Sequence, residues 1–211
     1  IAHPDFREEL VKDAEKMTDK YEDTLGSYLV KLSGTSITSQ DSARATLLLK
    51  VIGDFERISD HSVNIMASAK EMFDKEAKFS KKAQEELAVF TKSIVDILEA
   101  SVKVFCEEDL ELAKKVEPME ECIDYLSEEM KKRHVKRLRK GKCTIEMGFV
   151  LSDITTNYER VSDHCSNVAI CLLQLNEEGF DTHEYQGAYF GKGNEEYEEE
   201  VRRLREYYAL P

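Results

Sequence analysis

Apolar residues recur every three or four positions along most of this chain, which is the spacing of one face of an α-helix. The clearest series occupy residues 47–69 and 87–105, and a less regular series occupies residues 145–172. No convincing two-residue alternation bounded by turn signals indicates a strand. The pattern therefore predicts an all-α protein.

Capping residues and glycines divide this pattern into long helices. Thr38, Ser80 and Thr144 are placed to cap helix starts, and Gly34 and Gly141 are placed to end helices. The predicted helices lie near residues 4–33, 39–75, 80–106, 109–140 and 144–176. Long helices joined by short links are typical of antiparallel bundles.

A twelve-residue segment occurs twice. Residues 54–65 (DFERISDHSVNI) recur as residues 157–168 (NYERVSDHCSNV), with six identical positions and four close replacements. A helical core would repeat hydrophobicity but would not repeat Glu, Arg, Ser, Asp, His and Asn in order. The chain is therefore predicted to contain two related halves.

A weaker repeat lies upstream and sets the predicted organisation. Glu15 and Asp19 match Glu120 and Asp124, so each half contains two successive helices with a Glu and an Asp four residues apart. Residues 80–106 have no counterpart in the first half. We therefore predict two tandem antiparallel bundles, a first repeat over residues 1–76 that lacks its leading helix and a second repeat over residues 77–176.

The C-terminal segment 177–211 has a different composition. Residues 177–193 contain glycines among Tyr and Phe and are typical of a linker or wrapping loop, whereas residues 194–208 are mostly Glu, Arg and Tyr and predict a charged helix. This helix is either a solvated terminal helix or a docking element for another domain. It is also a candidate to replace the leading helix that the first half lacks.

Acidic pairs of the repeats are the candidate chemistry. Residues i and i+4 share one helix face, so Glu56 points with Asp60 and Glu159 points with Asp163. Clustered carboxylates repel one another unless a cation lies between them, and they suit Mg, Ca, Mn, Fe and sometimes Zn. Their recurrence within a longer repeat favours a metal site over chance.

Other roles stay open for these residues. Arg57 and Arg160 would neutralise the acids if they formed buried ion pairs, although their position on the helical wheel favours a neighbour or solvent. His61 and His164 lie off the acidic stripe. They are either metal ligands or packed groups that orient a carboxylate. The absence of Glu-x-x-His excludes the usual di-iron bundle pattern.

Composition narrows the function classes. The net charge of −13 argues against a duplex nucleic-acid binder, and the longest apolar run has six residues where a membrane helix needs about 20. The sequence contains no phosphate loop, nucleophile elbow or zinc-protease motif, so no catalytic motif indicates an enzyme.

Five scattered cysteines predict reduced, mostly packed thiols rather than a disulfide framework.

The doubled Glu-Arg-x-x-Asp-His segment resembles that of the PhoU family, regulators of bacterial phosphate uptake. The resemblance covers about residues 5–175 and departs from the family pattern at Asn157, which replaces an acid. It implies a fold of two three-helix bundles and no enzymatic activity. It also implies multinuclear sites for iron, zinc, manganese or magnesium, with ligands at Glu56, Asp60, Glu159, Asp163, Glu15, Asp19, Glu120 and Asp124.

The resemblance implies a membrane phosphate transporter as partner. Because the first half lacks a leading helix, we favour the cytosolic part of a sodium–phosphate symporter-like protein at the inner face of the plasma membrane over a free-standing regulator. A metalloenzyme with a carboxylate-bridged cluster and a metal-free helical scaffold are the alternatives. The sequence leaves the oligomeric state open, a homo-oligomer included.

Eight bases lie within residues 131–142 of this acidic chain. Cations at the end of a helix compensate its dipole, which is the structural interpretation. The functional interpretation is a contact with anionic lipid or with an acidic transporter loop.

Overall fold

A computed structural model describes residues 7–176 and 194–211, which form six α-helices and no strand. The helices are α1 (Glu8–Ser33), α2 (Ser39–Asp74), α3 (Lys81–Glu107), α4 (Leu110–Arg139), α5 (Ile145–Asn176) and α6 (Glu195–Tyr207). The all-α prediction is confirmed. The predicted helix start near residue 4 and the predicted linker 177–193 lie outside the described residues.

Polar side chains cap the helices where the sequence predicts. The hydroxyls of Thr38, Ser80 and Thr144 each accept a hydrogen bond from the backbone N–H three residues further on, at 3.1, 3.3 and 3.2 Å. Each cap satisfies a backbone donor that has no partner inside the helix. These local contacts fix the starts of α2, α3 and α5.

Two residues with positive φ mark the breaks on either side of α4. Glu108 (φ 53°) separates α3 from α4, and Asp109 then caps α4 by accepting a hydrogen bond from a backbone N–H at 3.0 Å. Gly141 (φ 63°) follows the end of α4. Glycine suits this left-handed conformation because it has no Cβ to clash with the backbone.

The chain divides into two compact units, Ile1–Lys78 and Phe79–Pro211. In the described part of the first unit, α1 packs along α2 over a small core. In the second unit, α4 packs against α3, α5 and α6, and α3 also packs against α5. The larger core of the second unit includes Phe90, Ile97, Ile123, Leu126, Met130 and Val168.

Equivalent positions of the two repeats differ in burial. Met17 and Tyr21 of α1 are 56% and 60% exposed, whereas their counterparts Cys122 and Leu126 of α4 are buried. The second unit has a third helix, α3, which packs against both helices of the pair. The described part of the first unit consists of one helix pair, so an apolar stripe of α1 stays exposed.

Helix α6 packs on α4 within the second unit. The Tyr197 hydroxyl donates to the carboxylate of Glu121 at 2.7 Å, and the Tyr208 hydroxyl donates to Asp96 of α3 at 2.5 Å. Val201 is buried. The interpretation of residues 194–208 as a solvated helix is therefore wrong, and so is their placement as the leading helix of the first half, because the helix anchors the C-terminus to α3 and α4.

A buried acid holds part of the basic segment. Glu86 of α3 is fully buried and accepts hydrogen bonds from Arg133 at 3.2 Å and from Arg137 at 2.6 Å. Arg133 also donates to the backbone carbonyl of Pro211 at 2.6 Å. Two of the eight bases therefore have a structural role that helix-dipole compensation does not describe.

The state of the cysteines and the character of the helices agree with two predictions from the sequence. All five thiols are free, and three of them are buried. Among the described residues, no helix combines the length and the apolarity that a bilayer crossing requires.

Candidate metal centre

Three carboxylates of the second unit come together between α4 and α5. Glu120 and Asp124 lie one turn apart on α4, and Asp163 lies on α5. One oxygen from each side chain lies within 4.8 Å of the others. The two helices are joined by only five residues and pack side by side, so their acidic faces meet. We call these three residues the α4–α5 acidic cluster.

The electrostatics of the α4–α5 acidic cluster favour a positive partner. Burial raises the pKa of Glu120 to about 8, and the charges of Asp124, Glu117 and Asp163 add to the shift. Burial also raises the pKa of Asp124, followed by the charges of Glu159 and Asp163. Without a cation, Glu120 therefore keeps a proton at neutral pH.

Glu159 lies at the edge of this cluster and has a basic partner. Its two carboxylate oxygens accept from the Lys131 ammonium at 3.0 and 3.2 Å. The Arg160 guanidinium lies 3.2 Å from an oxygen of Asp163, with the arginine side chain 62% exposed. The predicted neutralisation of the acids by Arg160 therefore takes the form of a surface ion pair, because neither the Lys131–Glu159 pair nor the Arg160–Asp163 pair is buried.

Sequence reasoning missed two acids beside the cluster. Burial raises the pKa of Glu117, while a hydrogen bond from the Ser166 hydroxyl lowers it. Glu121 accepts hydrogen bonds from the Tyr197 hydroxyl and from the Arg205 guanidinium, both of α6. The spacing of Glu117 could have indicated its place beside the cluster. It lies three residues before Glu120 and seven residues before Asp124, on the same helix face. The equivalent positions in the first half are lysines 12 and 16.

The first unit collects acids in a looser arrangement. Burial raises the pKa of the half-buried Glu56, with contributions from Asp60, Glu22 and Asp19, and Arg57 opposes the shift. Glu15 is half-buried, whereas Asp19 and Asp60 are exposed. Within residues 7–78, no three ligand atoms approach one another as closely as in the α4–α5 acidic cluster.

The repeated histidines stand outside the cluster. His164 is buried and His61 is half-buried, and neither belongs to the three-carboxylate group. At the position where the repeats differ in charge, Asp54 is buried and Asn157 donates its amide to the backbone carbonyl of Asp153 at 2.8 Å. These observations give the two halves different electrostatics.

The donor set fits a hard divalent cation. Three carboxylates offer oxygen ligands, which Mg²⁺ and Mn²⁺ prefer and which Fe and Zn accept. Burial is the main cause of the raised pKa of Glu120, and the neighbouring carboxylates add to the shift. A divalent cation would offset both effects, because it favours the charged form of the carboxylates. Glu120, Asp124 and Asp163 are thus the residues that would hold the ion.

Comparison with known proteins identifies relatives. The model of the PhoU domain matches residues 5–69 and 90–172. The "Phosphate-specific transport system accessory protein PhoU homolog 1" of Thermotoga maritima is 32% identical over 121 residues, which cover 57% of this chain and 51% of that protein. The chain therefore matches about half the length of this relative.

Proposed function

Because the chain belongs to the PhoU family, we propose that it is a non-enzymatic regulator of phosphate transport that binds a metal ion and contacts a membrane phosphate transporter. The observation that carries the proposal is the family match over both repeats, which includes all four residue pairs of the acidic motif. The relative from Thermotoga is named as an accessory protein of a phosphate transport system, which supports the same role.

The metal part of the proposal rests on the α4–α5 acidic cluster. We assign Glu120, Asp124 and Asp163 as ligands because their oxygens converge within 4.8 Å on a partly buried surface. The ion supplies positive charge to this surface and displaces the proton from Glu120. The three side chains then hold α4 and α5 together at this level, and the first-unit acids Glu15, Asp19, Glu56 and Asp60 form a weaker site.

The contact with the transporter turns metal binding into regulation. A bound divalent cation neutralises negative charge of the carboxylates at the α4–α5 surface, and this change alters docking on the transporter. The transporter is a separate chain or another part of the same polypeptide. The complex acts at the inner face of the plasma membrane.

Uptake of radioactive phosphate by cells tests the proposal. In a strain of the source organism without the chain, phosphate uptake under phosphate-rich conditions should be deregulated, and the wild-type chain should restore control. A variant with Glu120→Gln and Asp163→Asn should fail to restore control, because the cluster then lacks two charges. Glu128→Gln is the matched control, since Glu128 is an exposed acid of α4 that pairs with Lys132.

Two results would contradict this function. If deletion leaves phosphate uptake unchanged under both rich and poor conditions, the chain is not a regulator of phosphate transport. If the cluster variant restores control as well as Glu128→Gln does, the acids have a structural role and the metal-free scaffold is the better description.

A further inference from the structure

The end of the second unit where α4 turns into α5 carries an unusual set of side chains. We call residues 135–149 the α4–α5 tip. This segment has five bases against one acid, Glu146, in a chain whose net charge is −13. The tip is therefore a local positive region on an acidic protein.

The structure separates the bases that stabilise the fold from those that do not. Arg137 is mostly buried and pairs with Glu86 of α3 at 2.6 Å. The other four bases of the tip are exposed, and no acid in the described ranges forms an ion pair with them. These bases are Lys136, Arg139, Lys140 and Lys142. The last of them lies beyond the end of α4, so dipole compensation does not explain all four.

Large apolar side chains stand exposed at the same tip. Phe149 is 69% exposed and Ile145 is 65% exposed, and they lie four residues apart in the first turns of α5, on one helix face. Val135, near the end of α4, is 45% exposed. Single exposed apolar residues are ordinary on protein surfaces. Their combination with four unpaired bases is characteristic of surfaces that bind membranes.

The first repeat shows that the fold itself does not require this combination. The equivalent connection between α1 and α2, residues 34–38, contains no base. At the offset of the long repeat, Ile145 and Phe149 correspond to Ser42 and Thr46. The corresponding end of the first unit has only two bases, Lys31 and Arg44, and both helix pairs form with similar lengths. The fold therefore does not require the five bases of the second tip or its exposed Ile145 and Phe149.

We propose that the α4–α5 tip docks on the surface of an anionic lipid bilayer. Phe149 and Ile145 enter the headgroup region, and the four exposed bases face lipid phosphates. Charge complementarity favours this partner, because a negative bilayer attracts the tip and repels the rest of the acidic chain, which orients the protein. This binding needs neither the transporter nor the metal ion, so it extends beyond the proposed function.

A single tryptophan placed at the tip tests the inference directly. The chain has no tryptophan, so Phe149→Trp gives one fluorophore at the proposed contact. With vesicles of phosphatidylcholine and phosphatidylglycerol, we expect a blue shift of its emission and quenching by brominated lipid. Val30→Trp is the matched control, since Val30 is 62% exposed at the corresponding end of α1. No change for Phe149→Trp, or an equal change for both variants, would overturn the proposal.

Sedimentation with the same vesicles tests the role of charge. Replacing the four exposed bases of the tip by serine should weaken binding at least tenfold, and high salt should do the same to the wild type. The control variant, Lys31→Ser with Arg44→Ser, removes the bases of the corresponding end of the first unit and should bind normally. Thermal melting followed by circular dichroism shows whether each variant folds.

Two further outcomes separate this proposal from others. If the wild type does not bind anionic vesicles but binds a polyglutamate peptide, the partner is an acidic protein and the lipid proposal fails. The variant Glu120→Gln with Asp163→Asn should bind vesicles like the wild type. The bilayer contact and the metal centre therefore fail or succeed independently.

Discussion

Asp163 of α5 lies beside Glu120 of α4, with carboxylate oxygens of the two side chains within 4.8 Å of each other. Asp163 belongs to the strongly repeated segment, whereas Glu120 belongs to the weakly repeated helix before it. The candidate ligand set is therefore built across two helices rather than along one acidic stripe. This arrangement distinguishes Asp163 from Glu159, its partner in the motif.

The first prediction concerns that distinction. Asp163→Asn should weaken binding of Mn²⁺ at least tenfold, since removal of outer partners alone weakens metal sites by about 10–100-fold. Glu159→Gln should weaken it less than about threefold, because Glu159 lies outside the three-carboxylate group and its carboxylate pairs with Lys131 at 3.0 Å. Asp163 also has a basic partner, Arg160, but it belongs to that group. Isothermal titration calorimetry on chelator-treated protein measures both affinities.

Asp60→Asn provides the control from the first unit. Asp60 is exposed and belongs to no three-ligand group within residues 7–78, so this variant should keep the affinity of the tighter site. A larger loss from Glu159→Gln or from Asp60→Asn than from Asp163→Asn would place the metal elsewhere.

The second prediction concerns the buried carboxylate of α3. Glu86→Gln should lower the free energy of unfolding by about 3 kcal/mol, because it leaves the cations of Arg133 and Arg137 without their buried counter-charge. Urea unfolding measures the loss. Glu85→Gln, at a half-exposed neighbour, should change stability by less than about 0.5 kcal/mol. Equal effects of the two substitutions would show that the Glu86 pairs do not stabilise the fold.

The third prediction concerns the attachment of α6. The buried Tyr208 donates its hydroxyl to Asp96 at 2.5 Å, and a hydrogen bond to a charged group contributes about 1.5–3 kcal/mol. Tyr208→Phe should therefore destabilise the protein by about 2 kcal/mol in urea unfolding. Tyr207→Phe, at a residue 66% exposed, should cost less than about 0.5 kcal/mol. If the two variants unfold alike, the hydroxyl of Tyr208 does not fix α6.

The fourth prediction concerns pH. Burial lowers the pKa of His134, and the nearby charge of Arg137 lowers it further. The unfolded chain, with a histidine pKa of about 6.5, then binds a proton more readily than the folded protein does. Stability from this group is therefore complete above about pH 6.5 and falls as the pH drops towards the lowered folded pKa. Proton NMR titration of the imidazole should give a midpoint below 6.5.

A midpoint above 6.5 would contradict this environment of His134. The close packing of α4 on α5 supports the prediction, because a Cβ added at Gly148 would lie only 2.7 Å from the His134 ring. The ring is thus enclosed by the neighbouring helix, with little room for the water that a charged imidazole requires.

The sequence predicted the helices and their starts because the signals are local. Threonine and serine caps act within one turn, and the apolar periodicity is written in each helix separately. The helices after α1 end or begin within one or two residues of the predicted positions. The repeat also identified α1–α2 and α4–α5 as related pairs.

The ligand partners and the position of α6 could not be read from the sequence. Spacing places Glu159 and Asp163 on one face, but the rotation of α5 against α4 decides which of them meets Glu120 and which meets Lys131. In the same way, the many charged residues in the segment 195–208 predict an exposed helix, although Val201 and Tyr208 are buried in the fold. Both results depend on packing between different helices, which signals within a single helix do not determine.

Equilibrium dialysis against Mn²⁺ tests the central claim most directly. Chelator-treated wild-type protein should retain manganese, and the triple variant Glu120→Gln, Asp124→Asn and Asp163→Asn should lose the tighter site while melting at or above the temperature of the metal-free wild type. The second result follows because the substitutions remove carboxylates whose charged form is disfavoured by burial and by their neighbours' charges. Equal retention of manganese by the wild type and the triple variant, or none by the wild type, would contradict the account.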